Sequence, residues 1–115
     1  MSQEYAPLLR AIGLCARARA LITGVPMVLE AMRGGKDLLV LSAQDISENT
    51  RKQLSDKTTY YGVRMISLPI DTQTLAHAVG KTGCLGAVAV RDDNMRRLVL
   101  GALEKISPQQ QEEQQ

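Results

Sequence analysis

Residues 23–41 read TGVPMVLEAMRGGKDLLVL, a stretch in which a helix pattern leads into a strand pattern. The Thr-Gly pair before Val-Pro predicts a helix start with Pro26 in the first turn, a position that suits proline. Apolar residues between positions 28 and 32 then recur at the spacing of one buried helix face, and Gly34 ends the helix. Residues 38–41 form a continuous aliphatic run, which is typical of a strand covered on both faces. The stretch therefore predicts a helix that leads into a central strand.

The same alternation of helix and strand patterns extends from this unit in both directions. A first helix is predicted from Pro7 to about Arg17, and short strands are predicted at 20–23, 63–68 and 87–90. The third helix is expected to carry Ile46 and Leu54, with Tyr60 as a further candidate, and to end at Gly62. Each later helix has two candidate N-caps: Asp45 or Ser47 for the third, Asp71 or Thr72 for the fourth, and Asp92 or Asp93 for the last.

Helices that alternate with short strands favour a three-layer α/β/α sandwich around a four-stranded, mixed and mainly parallel sheet. A chain of 115 residues can enclose one hydrophobic core, so residues 1–106 are predicted to form a single domain. Residues 107–115 are rich in Gln and Glu and contain no apolar side chain that could pack into a core, so they are expected to be a disordered tail. The core must be almost entirely aliphatic, because the sequence contains no Phe or Trp.

The composition argues against several classes of protein. No apolar run approaches the roughly 20 residues of a membrane span, so no membrane association is expected. Cys15 and Cys84 are far apart and belong to no Cys-x-x-Cys pair, which argues against a zinc site or disulfide framework and favours a reducing cytoplasm. The net charge of +2 rises to +4 without Glu112 and Glu113 of the tail, a mild basic bias that is compatible with an anionic partner.

No motif indicates catalysis. Gly80-Lys81-Thr82 resembles the end of a P-loop, but the required glycine five positions earlier is Leu75, and the triplet follows a predicted helix where a P-loop precedes one. His77 is the only histidine, and a lone histidine on a helix is expected to be structural. General acid–base or nucleophilic chemistry needs a paired second group, and the sequence offers none. The protein is therefore predicted not to be an enzyme and to use no metal or cofactor.

Two arginines at the exit of the first helix leave two interpretations open. Arg17 and Arg19 stand shortly before Gly24, where the second helix begins. An exposed helix start carries unpaired N–H groups and positive potential, so together they could hold a phosphate. The alternative is a pair of solvated cations, which are favoured near the end of any helix.

Seven segments follow one another in a specific order and spacing: Gly13-Leu14, 17–25, 28–32, 45–52, 56–57, 60–63 and 75–81. Together they resemble the YlxQ-like bacterial members of the ribosomal protein L-seven-Ae family. The resemblance covers nearly the whole chain apart from the tail. It implies an α/β/α sandwich and non-catalytic binding of a kinked RNA helix, the kink-turn. It places the RNA against the start of the second helix and the loop before the last strand.

The family motif at the start of the second helix is Gly, any residue, Asn, Glu, two further residues and Lys. Gly24 keeps the glycine, but Pro26, Met27 and Glu30 stand where the family has Asn, Glu and Lys. Proline has no donor, methionine cannot accept from guanine, and glutamate reverses the charge. Because each lost base contact costs on the order of 1–3 kcal/mol, specific kink-turn binding is expected to be weakened or lost.

The second contact region that the resemblance implies is the loop 81–86, where an apolar surface receives an extruded nucleotide. Leu85 could supply this surface or turn inward. The predicted RNA contacts are Gly24, Arg17, Arg19, Lys36, Lys81, Thr82, Cys84 and Leu85. The expected partner is structured RNA, with ribosomal RNA among the candidates. The alternative is a module that has lost RNA binding and uses an apolar patch of Val25, Pro26 and Met27 for a protein partner or self-association.

Overall fold

The computed structural model describes residues 5–35 and 37–106, and within these ranges five helices alternate with four strands. The predicted tail at 107–115 lies outside the described residues, as does Lys36. The elements are α1 (Ala6–Arg17), β1 (Leu21–Thr23), α2 (Val25–Met32), β2 (Leu39–Ser42), α3 (Glu48–Tyr61), β3 (Arg64–Ser67), α4 (Thr72–Ala78), β4 (Ala87–Val90) and α5 (Asp93–Glu104).

The two central strands bury both of their faces, which confirms the three layers predicted from the sequence. The sheet order is β1-β4-β2-β3, and every residue of β2 and β4 is buried. Because successive side chains of a strand point to opposite faces, each aliphatic run serves two cores. One core joins α1, α4 and α5 to Leu39, Leu41, Val88 and Val90, and the other joins α2 and α3 to Val40, Ala87 and Ala89.

The sheet is mixed, as predicted, but it is not mainly parallel. Only β2 and β3 pair in parallel, whereas β4 runs antiparallel to both β1 and β2. The reason lies after α4, where the Leu85 N–H donates to the Thr72 carbonyl oxygen at 3.0 Å. The chain has therefore returned to the start of α4 before β4 begins. As a result, β4 enters the sheet at the end where β3 leaves it.

The structure decides between the candidate caps. Ser47 caps α3, and the Asp71 and Asp92 carboxylates accept N–H groups of the first turns of α4 and α5. Asp45 instead accepts from the Thr72 N–H at 2.8 Å, so it ties the approach to α3 to the start of α4. Each side-chain cap stabilises its helix by about 1 kcal/mol.

Tyr60 does not belong to the apolar face of α3. It is 79% exposed, whereas Leu54 and Thr58 are buried and Tyr61 packs against the α2 and α3 core. Positions 54, 58 and 61 repeat at helical spacing, and position 60 falls outside that stripe. The prediction that α3 ends at Gly62 is confirmed, since Gly62 has the left-handed conformation that closes a helix.

Candidate nucleic-acid interface

The end of β1, the end of β2 and the start of β4 meet along one edge of the sheet, which we call the Gly24 edge. The Gly24 N–H donates to the Ala87 carbonyl at 2.9 Å, and the Ala43 N–H donates to the Gly86 carbonyl at 2.9 Å. The start of α2 therefore lies beside the end of the loop 81–86. These are the two segments that the sequence resemblance pairs as contact regions, and the structure brings them together.

Gly24 has a backbone conformation that its residue type explains. Its φ is +97°, in the region that L side chains rarely adopt, and its carbonyl accepts the Val28 N–H at 2.9 Å. It is the N-cap of α2, and no side chain caps this helix start. The first turn of α2 therefore presents positive helix-dipole potential without a carboxylate of its own to offset it.

Gly86 makes the contact between the loop and α2 possible. A Cβ atom at Gly86 would lie 3.2 Å from Val25 Cγ2 and 3.3 Å from Ile46 Cγ2. These distances are shorter than ordinary van der Waals contacts, so a larger residue would push the loop away from the helix start. A glycine directly before a buried strand was the signal that could have identified the close approach.

The loop 81–86 divides into an exposed part and a buried end. Lys81, Thr82 and Cys84 are exposed, as a contact surface requires. Leu85 is only 8% exposed and packs into the core with α1, α4 and α5. Of the two orientations left open for Leu85, the structure has the inward one, so this side chain cannot form the outer surface of the loop.

The first turn of α2 carries exposed apolar surface at the same edge. Met27 is 59% exposed and Pro26 is also exposed, whereas Val25 is half-buried against Gly86. Glu30 lies one turn further on and forms an exposed ion pair with Arg33 at 3.5 Å. The side chains at the positions of the family motif therefore point to solvent, but they offer apolar contact and negative charge.

The Gly24 edge carries mixed charge. Lys81 is exposed where the loop leaves the C-terminal end of α4, with its N–H on the Ala76 carbonyl, and the Arg51 guanidinium donates to the Gln44 carbonyl at 3.1 Å. Asp45 and Asp71 face the same edge, and hydrogen bonding to the Thr74 N–H holds the pKa of Asp71 below its usual value. Cations for an RNA backbone are thus present but do not outnumber the acids.

Arg17 and Arg19 are not brought together with Gly24. The Arg91 N–H donates to the Ala20 carbonyl at 3.0 Å, so the exit of α1 lies at the C-terminal end of β4. Gly24 contacts the start of β4 instead. An extended chain from residue 20 to residue 24 spans roughly 13 Å, which separates the two arginines from the helix start. The position of Lys36 lies outside the described residues.

The remaining reactive groups form no site of their own in the described ranges. No group of three or more His, Cys, Asp or Glu side chains there could hold a metal ion. Cys15 is fully buried, and burial, with a smaller effect of the Asp92 carboxylate, raises the pKa of its thiol to about 11. None of the helices in these ranges is long and apolar enough to cross a membrane.

The fold and the paired segments at the Gly24 edge define the class of protein: the chain belongs to the Ribosomal protein L7Ae/L30e/S12e/Gadd45 family, whose model matches residues 7–99. This membership also confirms the prediction that the protein is not an enzyme. One relative is the RNA-binding protein YlxQ of Bacillus subtilis (strain 168), which is 33% identical over 101 residues, or 88% of this chain and 96% of the relative. The RNA-binding protein YlxQ of Enterococcus faecium is 39% identical over 70 residues, covering 61% of this chain and 67% of the relative.

Two solved structures share the fold. A protein of unknown function from Bacillus halodurans superimposes with a TM-score of 0.76 at 31% identity, over 84% of this chain and 96% of that one. The Giardia lamblia 15.5kD RNA binding protein superimposes with a TM-score of 0.70 over 92% of this chain and 89% of that one. At 18% identity, the second comparison supports the architecture alone.

Proposed function

We propose that this protein binds structured RNA through the Gly24 edge and reads the RNA mainly by its shape and backbone. The observation that carries the proposal is the junction of the α2 start with the loop 81–86 through Gly24, Ala87 and Gly86. Family membership and the RNA-binding relatives support the same partner. Ribosomal RNA and other kinked helices are the candidate ligands.

Each part of the edge has a distinct task in this proposal. Gly24 leaves the backbone open to close approach, and the uncapped first turn of α2 attracts phosphate. Lys81 adds a point charge at the loop. Met27 and Pro26 offer an apolar surface against which the face of an unstacked base can pack, but they supply no donor or acceptor for its edge.

The test is a filter-binding titration of a kink-turn RNA and a straight duplex of equal length at about 50 and 200 mM salt. We expect both RNAs to bind at low salt, with less than about tenfold preference for the kink-turn, because base-edge contacts worth about 1–3 kcal/mol each are missing. Lys81→Gln should weaken binding, while Lys105→Gln, which removes another exposed charge from the end of α5, should not. Absence of binding to either RNA at low salt would overturn the proposal.

The exposed side chain of Met27 favours a second candidate function, a protein contact or self-association through Val25, Pro26 and Met27. Sedimentation velocity of the protein and its Met27→Gln variant separates the two functions. A concentration-dependent dimer that the substitution abolishes would support self-association. A monomer that binds RNA equally well with either residue at position 27 would contradict it.

A further inference from the structure

Most of the arginines gather at the end of the sheet opposite the Gly24 edge. Leu21 pairs with Val90, Val90 with Leu39, and Leu39 with Arg64, so these four residues form one row across all four strands. Residues adjacent to this row lie at one end of the molecule, which we call the arginine end. Its cations are Arg17, Arg19, Arg64, Arg91, Arg96 and Arg97.

The acids at the arginine end are fewer, and two of the three are already engaged. Arg96 and Arg97 share Asp93, at 3.0 and 3.4 Å, and together with Arg64 and Asp37 they line one cleft. Asp92 caps α5. Six arginines therefore face three aspartates, a surplus of positive charge that the Gly24 edge lacks. Within the described ranges, Arg17, Arg19, Arg64 and Arg91 are exposed and form no ion pair.

The fold holds two of these arginines in defined places. The Arg91 backbone N–H donates to the Ala20 carbonyl, and its guanidinium lies 3.5 Å from the Arg19 carbonyl oxygen. Arg19 itself adopts φ of +58°, a conformation that disfavours residues with a Cβ atom. A long cation thus occupies a position where glycine would be less strained.

The size of the arginine end suits a nucleic-acid backbone. The row from β1 to β3 spans three strand spacings, or roughly 14 Å, a length that carries several phosphates on an RNA strand. Guanidinium groups present a planar fork of donors that matches a phosphate in two-point contacts. Phosphate contacts of this kind carry no base information, so the expected contact is independent of sequence.

We infer that the arginine end is a second RNA surface, which binds the phosphate backbone of a segment different from the one at the Gly24 edge. The inference rests on the proposed RNA binding and extends it, because the two surfaces lie at opposite ends of the strands. A short kinked motif at the Gly24 edge leaves the arginine end free. A longer RNA, or a second helix of a folded RNA, can occupy both.

The test compares two variants with the same loss of charge. The first carries Arg19→Gln, Arg64→Gln and Arg91→Gln. The control carries Arg10→Gln, Lys52→Gln and Lys105→Gln, which remove three exposed cations away from the arginine end. Association constants for a straight duplex of about 30 base pairs are measured across salt concentration. Because each phosphate contact contributes about 0.7–0.9 to the log–log slope, the first variant should lose about 2 in slope, and the control should lose less than about 0.5.

Additional measurements separate failure of this inference from failure of the proposed function. Replacing the same three arginines with lysine should retain most of the slope, and thermal unfolding of every variant verifies the fold. Equal slopes for the arginine variant and the control would overturn the inference, even if Lys81→Gln weakened kink-turn binding. Loss of slope in the arginine variant with no effect of Lys81→Gln would support the inference and contradict binding at the Gly24 edge. If the arginine variant lost binding to polyglutamate but not to RNA, the surface would serve an acidic protein and the inference would also be overturned.

Discussion

Arg19 shows at the scale of one residue how the fold tolerates local strain. In ranges 5–35 and 37–106 it is the only residue other than glycine with positive φ. We predict that Arg19→Gly raises the free energy of unfolding by about 0.5–1 kcal/mol, because relief of about 1–2 kcal/mol of left-handed strain exceeds the entropic cost of glycine. Urea unfolding measures the change. Arg17→Gly, at the helical end of α1, should be destabilising by about 1 kcal/mol, and stabilisation of both variants would contradict this explanation.

Gly86 provides a second prediction at the residue scale. Gly86→Ala should lower the free energy of unfolding by about 1–3 kcal/mol, because the new Cβ atom would crowd Val25 and Ile46. Val25→Ala in the same chain should recover part of the loss. The control is Gly101→Ala in α5, where a Cβ atom meets nothing within 4 Å, and this change should stabilise the protein by about 0.5–1 kcal/mol. Equal effects at the two positions would exclude the close contact at Gly86.

The side chains of the first turn of α2 account for the expected loss of kink-turn selectivity. We predict that the triple variant Pro26→Asn, Met27→Glu and Glu30→Lys gains at least about tenfold in preference for a kink-turn over a straight duplex. The variant adds one net positive charge, and Asp56→Asn on α3 adds the same charge away from the edge. A competition binding assay with both RNAs measures the preference. Strong selectivity of the unmodified protein would show that these three side chains are not the cause.

At the scale of the element, the side-chain cap of α4 makes the stability of the folded protein depend on pH. The Thr74 N–H lowers the pKa of Asp71 in the folded protein, so the stabilisation is complete above the unfolded pKa near 3.8 and is lost as the pH falls below it. Asp71→Asn can still cap the helix without titrating. We therefore expect a smaller fall in Tm between pH 7 and pH 3 for this variant than for the unmodified protein. Asp37 caps no helix, so the Asp37→Asn variant should show the same fall in Tm as the unmodified protein.

The elements differ in how well the sequence predicts them. The caps Ser47, Asp71 and Asp92 were each among the two candidates predicted from the sequence, because a side-chain cap bonds to backbone N–H groups within three residues. The direction of β4 could not be predicted from the sequence, because it depends on the path of the chain between α4 and β4. That path is fixed by the long-range hydrogen bond between Leu85 and Thr72, which no local pattern records.

The same limit applies to the candidate site. Gly24 and the loop 81–86 were identifiable from the family resemblance, and Gly24 is indeed the N-cap of α2. The inward orientation of Leu85 depends on how the loop joins β4, and the distance of Arg19 from Gly24 depends on the direction of β1. Both are properties of the assembled sheet. Arg19 and Gly24 are close in sequence, but the three-residue strand β1 between them places them at opposite ends of the molecule.

At the scale of the whole molecule, charge and surface chemistry are separated along the strand direction. The Gly24 edge has mixed charge, an open glycine and exposed apolar side chains, whereas the arginine end carries a surplus of guanidinium groups. A small net charge of +2 hides this separation, since it averages over both ends. We expect the two surfaces to respond differently to salt, the arginine end more steeply, because phosphate contacts release counterions.

Occupation of the Gly24 edge by RNA can be tested on the unmodified protein through its cysteines. Of the two in the chain, Cys15 is buried and Cys84 is exposed on the loop 81–86, so a maleimide reagent reports on Cys84. The rate of thiol modification is measured by mass spectrometry with and without a saturating structured RNA. We predict that RNA slows modification of Cys84 at least about tenfold and that high salt restores the free rate. An unchanged rate at saturating RNA would contradict binding at this edge.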